Sequence, residues 1–164
     1  MMKTKLFLLF FFSLITMMNA QEQFKKNKEK ETYKVQKSAE QWQNELEADQ
    51  YYVLREKGTE RPFSGQYNLH FEEGVYACGG CDAALFKSDT KFDAHCGWPS
   101  FDEAIEGAVS YNRDLSHGMV RTEILCSNCG GHLGHVFDDG PTETGKRYCV
   151  NSLSLDFDPS KEKN

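Results

Sequence analysis

Two short units, Cys78-Gly79-Gly80-Cys81 and Cys126-Ser127-Asn128-Cys129, constrain this 164-residue chain more than any other feature in it. Each is a C-x2-C turn after a strand-like run, and 44 residues separate them. Each also has a leucine four places beyond its second cysteine, Leu85 and Leu133. Two such turns facing one another supply four thiolates in the tetrahedral arrangement of structural zinc. A pair of disulfides is the other reading. The tight turns favour zinc, because C-x2-C disulfides tend to be redox-active and cross-linked pairs need no such turns. A closed four-cysteine site leaves no open position for a substrate, so one Zn2+ per chain would hold the fold together and do no chemistry. The cysteines left over are Cys96 and Cys149.

Cys149 lies in Arg147-Tyr148-Cys149-Val150-Asn151-Ser152-Leu153-Ser154-Leu155-Asp156-Phe157, after a turn-forming run rich in Asp, Gly and Thr. Leu153, Leu155 and Phe157 alternate with Ser154 and Asp156, the period-two mark of a half-buried strand. The same parity carried backwards puts Asn151, Cys149 and Arg147 on the apolar face, at the mouth of a core. A free cysteine is most often a small buried hydrophobe. Its two polar neighbours need partners, however, and an adjacent cation would raise the thiolate fraction. The strand alone leaves both readings of Cys149 open. Cys96 sits in Phe92-Asp93-Ala94-His95-Cys96-Gly97-Trp98-Pro99-Ser100-Phe101, where Gly97 and Pro99 fix a loop. A loop cysteine can travel to a strand cysteine as a resolving thiol does, and a static Cys96–Cys149 disulfide suits the spacing equally. His132 and His135 follow the second C-x2-C unit. They are acid–base equipment if they stand near a thiol, and surface or ligand residues otherwise. His70, His95 and His117 read as structural.

Lys3 and Lys5, the apolar run from Leu6 to Met18, and Asn19-Ala20-Gln21 read as a signal peptide over residues 1–20, with cleavage after Ala20. The expected location is the periplasm or outside the cell, with no stable membrane association after cleavage. In an exported chain six cysteines would by default suggest three bridges, although 144 remaining residues suffice for a core without them. Losing two lysines and no acid takes the formal net charge from −6 to −8, a poor match for nucleic acid. Residues 21–37 read as a charged, solvated linker, residues 38–159 as the folded domain of a monomer, and residues 160–164 as a polar tail. Ser38-Ala39-Glu40-Gln41 has the form of a capping box, and Trp42 and Leu46 follow at helical spacing. A second helical run from Asp49 to Lys57 stops at Gly58, a residue suited to the left-handed position after a helix. Beyond Phe63 come short strand-like segments broken by Gly, Asp and Pro, among them Val75-Tyr76-Ala77, Ala84-Leu85-Phe86 and Val120-Arg121-Thr122-Glu123-Ile124-Leu125. They predict an antiparallel sheet or open barrel with the helices packed outside.

Four segments taken together, in this order, carry a specific resemblance. They are Gly97-Trp98-Pro99-Ser100-Phe101, Ser116-His117-Gly118-Met119-Val120-Arg121-Thr122-Glu123, His132-Leu133-Gly134-His135-Val136-Phe137-Asp138-Asp139-Gly140-Pro141 and Arg147-Tyr148-Cys149-Val150-Asn151-Ser152. The chain resembles the B-type peptide methionine sulfoxide reductases, which act on the R sulfoxide, over residues 38–157. The resemblance implies a mainly β fold: two small antiparallel sheets forming an open barrel, short N-terminal helices, and zinc on Cys78, Cys81, Cys126 and Cys129. It further implies Cys149 as nucleophile, Cys96 as resolving cysteine and Trp98 as the wall that receives the substrate methyl group. His132, His135, Asp139, Arg147 and Asn151 would line the polar side of the pocket. Ala94-His95 stands where many members carry Ser-Gly, which bears on the rate of the resolving step.

The expected substrates are therefore proteins or peptides containing methionine sulfoxide. A thiolate attacks sulfoxide sulfur once its oxygen is protonated, so Cys149 needs an acid beside it, here His135 with His132 and Asn151. The resulting sulfenic acid would condense with Cys96, and a thioredoxin-like reductant would reopen the disulfide. The rival from another class is a secreted zinc-ribbon interaction module with Cys96 and Cys149 in a static disulfide. A nucleic-acid zinc ribbon is opposed by the acidic balance. A general disulfide oxidoreductase would hold its two working cysteines in one C-x2-C at a helix start.

Overall fold

In the computed structural model of this chain, residues 33–159 are described. The expected signal peptide, residues 21–32 of the expected linker and the tail 160–164 lie outside the described residues. Helix α1 (Ala39–Glu45) begins as its sequence predicts. The Ser38 hydroxyl accepts from the Gln41 N–H at 3.2 Å, and the Gln41 side-chain oxygen accepts from the Ser38 N–H at 2.8 Å. Trp42 is buried on its inner face, with the Lys37 ammonium and Arg55 guanidinium 4.6 and 4.7 Å from its ring centre. Residues 33–37, assigned from sequence to the linker, run along the domain. The Val35 N–H donates to the Asn128 carbonyl at 2.9 Å, and the Tyr33 ring covers Gly130. Tyr33 and Val35 are the apolar anchors that the preceding charged residues lack.

Helix α2 (Ala48–Glu56) ends one residue before the position its sequence suggests. Lys57, not Gly58, takes the left-handed conformation, at φ 60°. The Lys57 ammonium is held by Glu123 at 2.7 Å, which ties that residue into the domain. Gly58 is needed for another reason: a Cβ there would stand 2.2 Å from the Tyr52 ring.

The strands are β1 (Val75–Cys78), β2 (Ala84–Lys87), β3 (Lys91–Phe92), β4 (Ser100–Phe101), β5 (Val109–Asp114), β6 (Arg121–Cys126), β7 (His132–Phe137), β8 (Arg147–Val150) and β9 (Leu155–Asp158). They form two antiparallel sheets, ordered β2-β1-β9 and β3-β4-β8-β7-β6-β5. The mainly β fold with two sheets and peripheral helices is as expected, and β3 and β5 remain edges, so the larger sheet does not close. The core lies between the sheets: Tyr76, Leu85 and Leu155 from the smaller one, Phe101, Ile124, Leu133 and Val150 from the larger, with Phe86 stacked on Phe101 at 4.4 Å. Each fully buried side chain of this size contributes about 1.5–3 kcal/mol.

Residues 147–157 are not the single strand that their alternation suggests. β8 belongs to the six-stranded sheet and β9 to the three-stranded one, with a 3-10 turn at Ser152–Ser154 between them. The turn forms because its polar groups find partners. The Glu60 carboxylate accepts from the Ser152 and Leu153 N–H groups at 2.6 and 2.9 Å, and the Ser154 hydroxyl donates to the Asn151 carbonyl at 2.7 Å. The parity therefore breaks at Asn151. In β8 it is Tyr148 and Val150 that fill the core, and Arg147 and Cys149 face the other way.

Gly134 sets how closely β7 and β8 approach. It pairs with Val150, and a Cβ on it would lie 2.1 Å from the Cys149 carbonyl oxygen. Gly134→Ala is expected to lower stability by about 2–3 kcal/mol, measured by urea unfolding. An unchanged midpoint would mean that the two strands separate at no cost.

Candidate active site

Trp98 and the outward faces of β7 and β8 border a cavity of about 120 Å³. Its apolar side is Trp98 and Phe137, and its polar side is Thr59, Arg121, His135 and Asn151, with Cys149 in the wall. Strand register brings the central pair together. His135 stands directly across the ladder from Cys149, and Phe137 across from Arg147, so each pair shares a face with Cβ atoms about 5 Å apart. Trp98 is aimed by its own indole N–H, which donates to the Glu60 carbonyl at 3.3 Å.

His132 and His135 are three residues apart, a spacing that would point them to opposite faces of a regular strand. A register shift opposite Ile124 and Leu125, with Leu133 as the extra residue, rotates the chain and brings their rings to 5.6 Å, edge to face. His132 does not reach the cavity wall. It is buried behind His135, with Nδ1 2.7 Å from Glu123 Oε1. Burial pushes the Glu123 carboxyl up, but its hydrogen bonds with His132 and Lys57 outweigh that and leave it below the usual range. His135 Nε2 lies 2.8 Å from Asp114 Oδ2, which also accepts from Arg121 Nη2 at 2.6 Å, while Asp114 Oδ1 accepts from the Ser116 N–H at 2.8 Å. The Ser116 N–H first, then the Ser116, His135 and Arg121 side chains, hold Asp114 well below the ordinary carboxylate range. An ionised carboxylate only accepts hydrogen bonds, so the proton of that bond belongs to His135 Nε2. Burial lowers the His135 pKa from its ordinary 6.5, with Asp114 pulling the other way. At neutral pH the imidazole is neutral and Nδ1 keeps its lone pair.

The remaining sequence candidates divide between cavity and support. Asn151 is on the wall, but its amide is engaged: Nδ2 donates to the Leu133 carbonyl at 3.0 Å, and Oδ1 accepts from the Glu60 N–H at 3.2 Å. Asp139 stays outside, gripping the Arg147 guanidinium through two bonds of 2.8 and 2.9 Å. Arg147 lies 4.5 Å over the Phe137 ring. The Cys96 and Cys149 sulfurs are 3.9 Å apart and unbonded, and Cys96 is also 3.5 Å from the Ser100 hydroxyl. A disulfide needs about 2.05 Å, so a displacement of roughly 2 Å would join them. The pair shares a proton unequally. Its bond to Cys149 holds the Cys96 thiol down, at about 5, whereas that bond and burial push Cys149 up against the pull of Arg147. The sequence expectation of a Cys149 thiolate made by a neighbouring cation is thus outweighed by Cys96, and in the resting pair the proton sits on Cys149.

Asp114, Arg121, Glu123 and Glu60 take part in the site without having been singled out for it by sequence. Arg121 and Glu123 belong to the segment that carried the resemblance, and only the pairing of β5 with β6, which sets Asp114 opposite Arg121, reveals the frame around His135. Elsewhere, Cys78, Cys81, Cys126 and Cys129 bring their sulfurs within 4.8 Å of one another, close enough to hold a metal ion. Asn128 Nδ2 donates to Cys81 Sγ at 3.2 Å.

Residues 46–159 match the family model described as the SelR domain. The chain is 60% identical over 127 residues to the peptide methionine sulfoxide reductase MsrB of Agrobacterium fabrum, covering 77% of this chain and 94% of that one. It is 56% identical over 126 residues to the protein of the same name from Leptospira interrogans, covering 76% and 96%. Among solved structures, the Mis18 'Yippee-like' domain aligns with a TM-score of 0.41 and 20% identity over 53% of this chain and 96% of that one. At that level of likeness it carries no weight.

Asp114→Asn removes the group that raises the His135 pKa and leaves burial to lower it. The His135 titration, followed by NMR of the imidazole, is expected to shift further down. Because the folded value already lies below 6.5, the stability linked to neutral His135 is present above that pH and is lost as pH falls through the folded value.

Proposed function

The chain belongs to the SelR domain family of B-type peptide methionine sulfoxide reductases, and with that as premise we propose how it reduces methionine sulfoxide. The Cys149 thiol gives its proton to the free Nδ1 of His135. The resulting imidazolium is stabilised by Asp114 through Nε2–H, as a general base needs when it becomes an acid later in the cycle. The thiolate attacks the sulfoxide sulfur, whose methyl group rests against Trp98, while the imidazolium returns the proton to the sulfoxide oxygen. The oxygen passes to Cys149 and the thioether leaves, so Cys149 becomes a sulfenic acid as the substrate gains two electrons. Cys96 then attacks Cys149, water departs, and the disulfide is reopened by a thioredoxin-like dithiol protein. Arg147, fixed by Asp139, stabilises negative charge on either sulfur. His132 and Asn151 act by holding His135 and the Glu60 loop in place.

The observation that most supports this reading is the pairing of His135 with Cys149 on a cavity facing Trp98, with a second sulfur 3.9 Å from the first. The four-cysteine cluster is read as one structural zinc per chain. With Zn–S bonds of about 2.3 Å, the edges of a tetrahedron of sulfurs are about 3.8 Å, and Cys78–Cys129 and Cys81–Cys126 stand at 3.7 and 3.6 Å. These separations fit thiolates around a metal and are far too long for disulfides. Repair of oxidised proteins outside the cytoplasm, directed by residues 1–20 and carried out by a monomer, completes the proposal. Among the described residues no helix is long and apolar enough to cross a membrane.

Cys149→Ser is expected to lower reduction of a methionine R-sulfoxide peptide by about 10³-fold or more. Cys96→Ser should release one equivalent of methionine and then fail to recycle with a thioredoxin-like protein. Full turnover by the Cys149 variant would end the assignment. Elemental analysis should find one zinc per chain. Since structural zinc contributes on the order of 10 kcal/mol to small metal-dependent folds, Cys129→Ser should lose both the metal and the cooperative thermal transition.

A further inference from the structure

Of the five methionines in the chain, four are Met1, Met2, Met17 and Met18, so Met119 is the sole methionine within residues 33–159. It is not a core residue. At 45% exposure it stands at the tip of the β5–β6 hairpin with Leu115 (60%) and Val120 (71%), three apolar side chains turned to solvent together. The tip turns through His117 at φ 56° and Gly118 at φ 71°, and the Met119 N–H donates to the Ser116 carbonyl at 3.1 Å. Its two ends are Asp114, which holds His135, and Arg121, which lines the cavity.

An exposed thioether takes oxygen from hydrogen peroxide, giving a sulfoxide and water. A sulfoxide is the group that the reaction assigned above to Cys149 removes. We propose that Met119 is a reversible oxidation site, and that its sulfoxide is a substrate for the Cys149 centre of another copy of this chain. This rests on the proposed role of Cys149. A second copy is required because the β5–β6 ladder, paired out to Asp114 and Arg121, and the Met119–Ser116 bond keep the tip from folding back over its own cavity. In the repair step oxygen moves from the Met119 sulfur to Cys149. It leaves as water when Cys96 closes the disulfide, and an external dithiol supplies the two electrons that restore both thiols. Between oxidation and repair a polar sulfoxide stands beside Leu115 and Val120, so the apolar character of the hairpin tip follows the oxidant load.

The test uses full-length Cys149→Ser chain treated with hydrogen peroxide, then incubated with a small amount of wild-type chain and dithiothreitol. A short peptide bearing methionine R-sulfoxide serves as the control substrate. Trypsin, cutting after Arg113 and Arg121, isolates residues 114–121, whose mass reports Met119 alone. The fragment should gain one oxygen from peroxide and lose it from about half of the copies, those with the R epimer, only when wild type is present. The inference is overturned if the fragment gains no oxygen under conditions that oxidise a free methionine peptide. It is equally overturned if the oxygen persists while the control peptide is reduced. Failure to reduce either one removes the assignment of Cys149 as well.

Discussion

A single buried carboxylate holds the two sheets and the cavity in register. Glu60 accepts the Ser152 and Leu153 N–H groups at the point where the chain leaves the larger sheet for the smaller, and its own backbone N–H and C=O engage Asn151 and the Trp98 indole. Burial raises its pKa, and the two backbone N–H groups oppose that rise. Charge-assisted bonds of this kind are about twice as strong as neutral ones, and removing one partner leaves the other unsatisfied in a place without water. Trp98, Asn151 and the end of β8 are therefore positioned by one residue that does not line the cavity itself.

Electrostatics on the opposite side divides the labour between two thiols and one imidazole. Cys96 draws the charge at rest because Cys149 donates to it and Arg147 stands by, so the proposed nucleophile keeps its proton in the resting pair. Neutral His135, with Nε2–H committed to Asp114, keeps Nδ1 open for the proton transfer proposed above. The same 3.9 Å sulfur contact that suppresses ionisation of Cys149 also places Cys96 for the condensation proposed above. Two requirements that pull against each other are met by one contact.

What the sequence disclosed and what it concealed follow from the range of the forces involved. The capping box at Ser38, the C-x2-C turns and most strand positions depend on neighbours within a few residues, and these were legible. The four cysteines were legible as a set because their turns are alike, and Cys96 and Cys149 as the two left over; these meet because β4 pairs with β8, which sets Ser100 across from Cys149. The break at Asn151 was hidden, since it depends on Glu60, which lies far from it in the chain and whose carboxylate no local pattern announces. So was the frame of Asp114 and Arg121 around His135, visible only when β5 pairs with β6. Equally hidden was the place of His132, read as the helper of His135 on the pocket wall: the register shift at Leu133 puts His135 on the wall and His132 behind it.

The unclosed sheet leaves β5 with one row of backbone groups facing outward, the arrangement through which strands of separate molecules add to one another and grow into fibres. Here Asn112, Arg113 and Asp114 occupy half of that strand, with Asn112 and Arg113 exposed. An incoming strand would have to strip water from an amide and a guanidinium before gaining any ladder bonds. The edge that keeps the barrel open is thereby guarded against self-templated aggregation, the hazard that oxidatively damaged, partly unfolded chains bring with them.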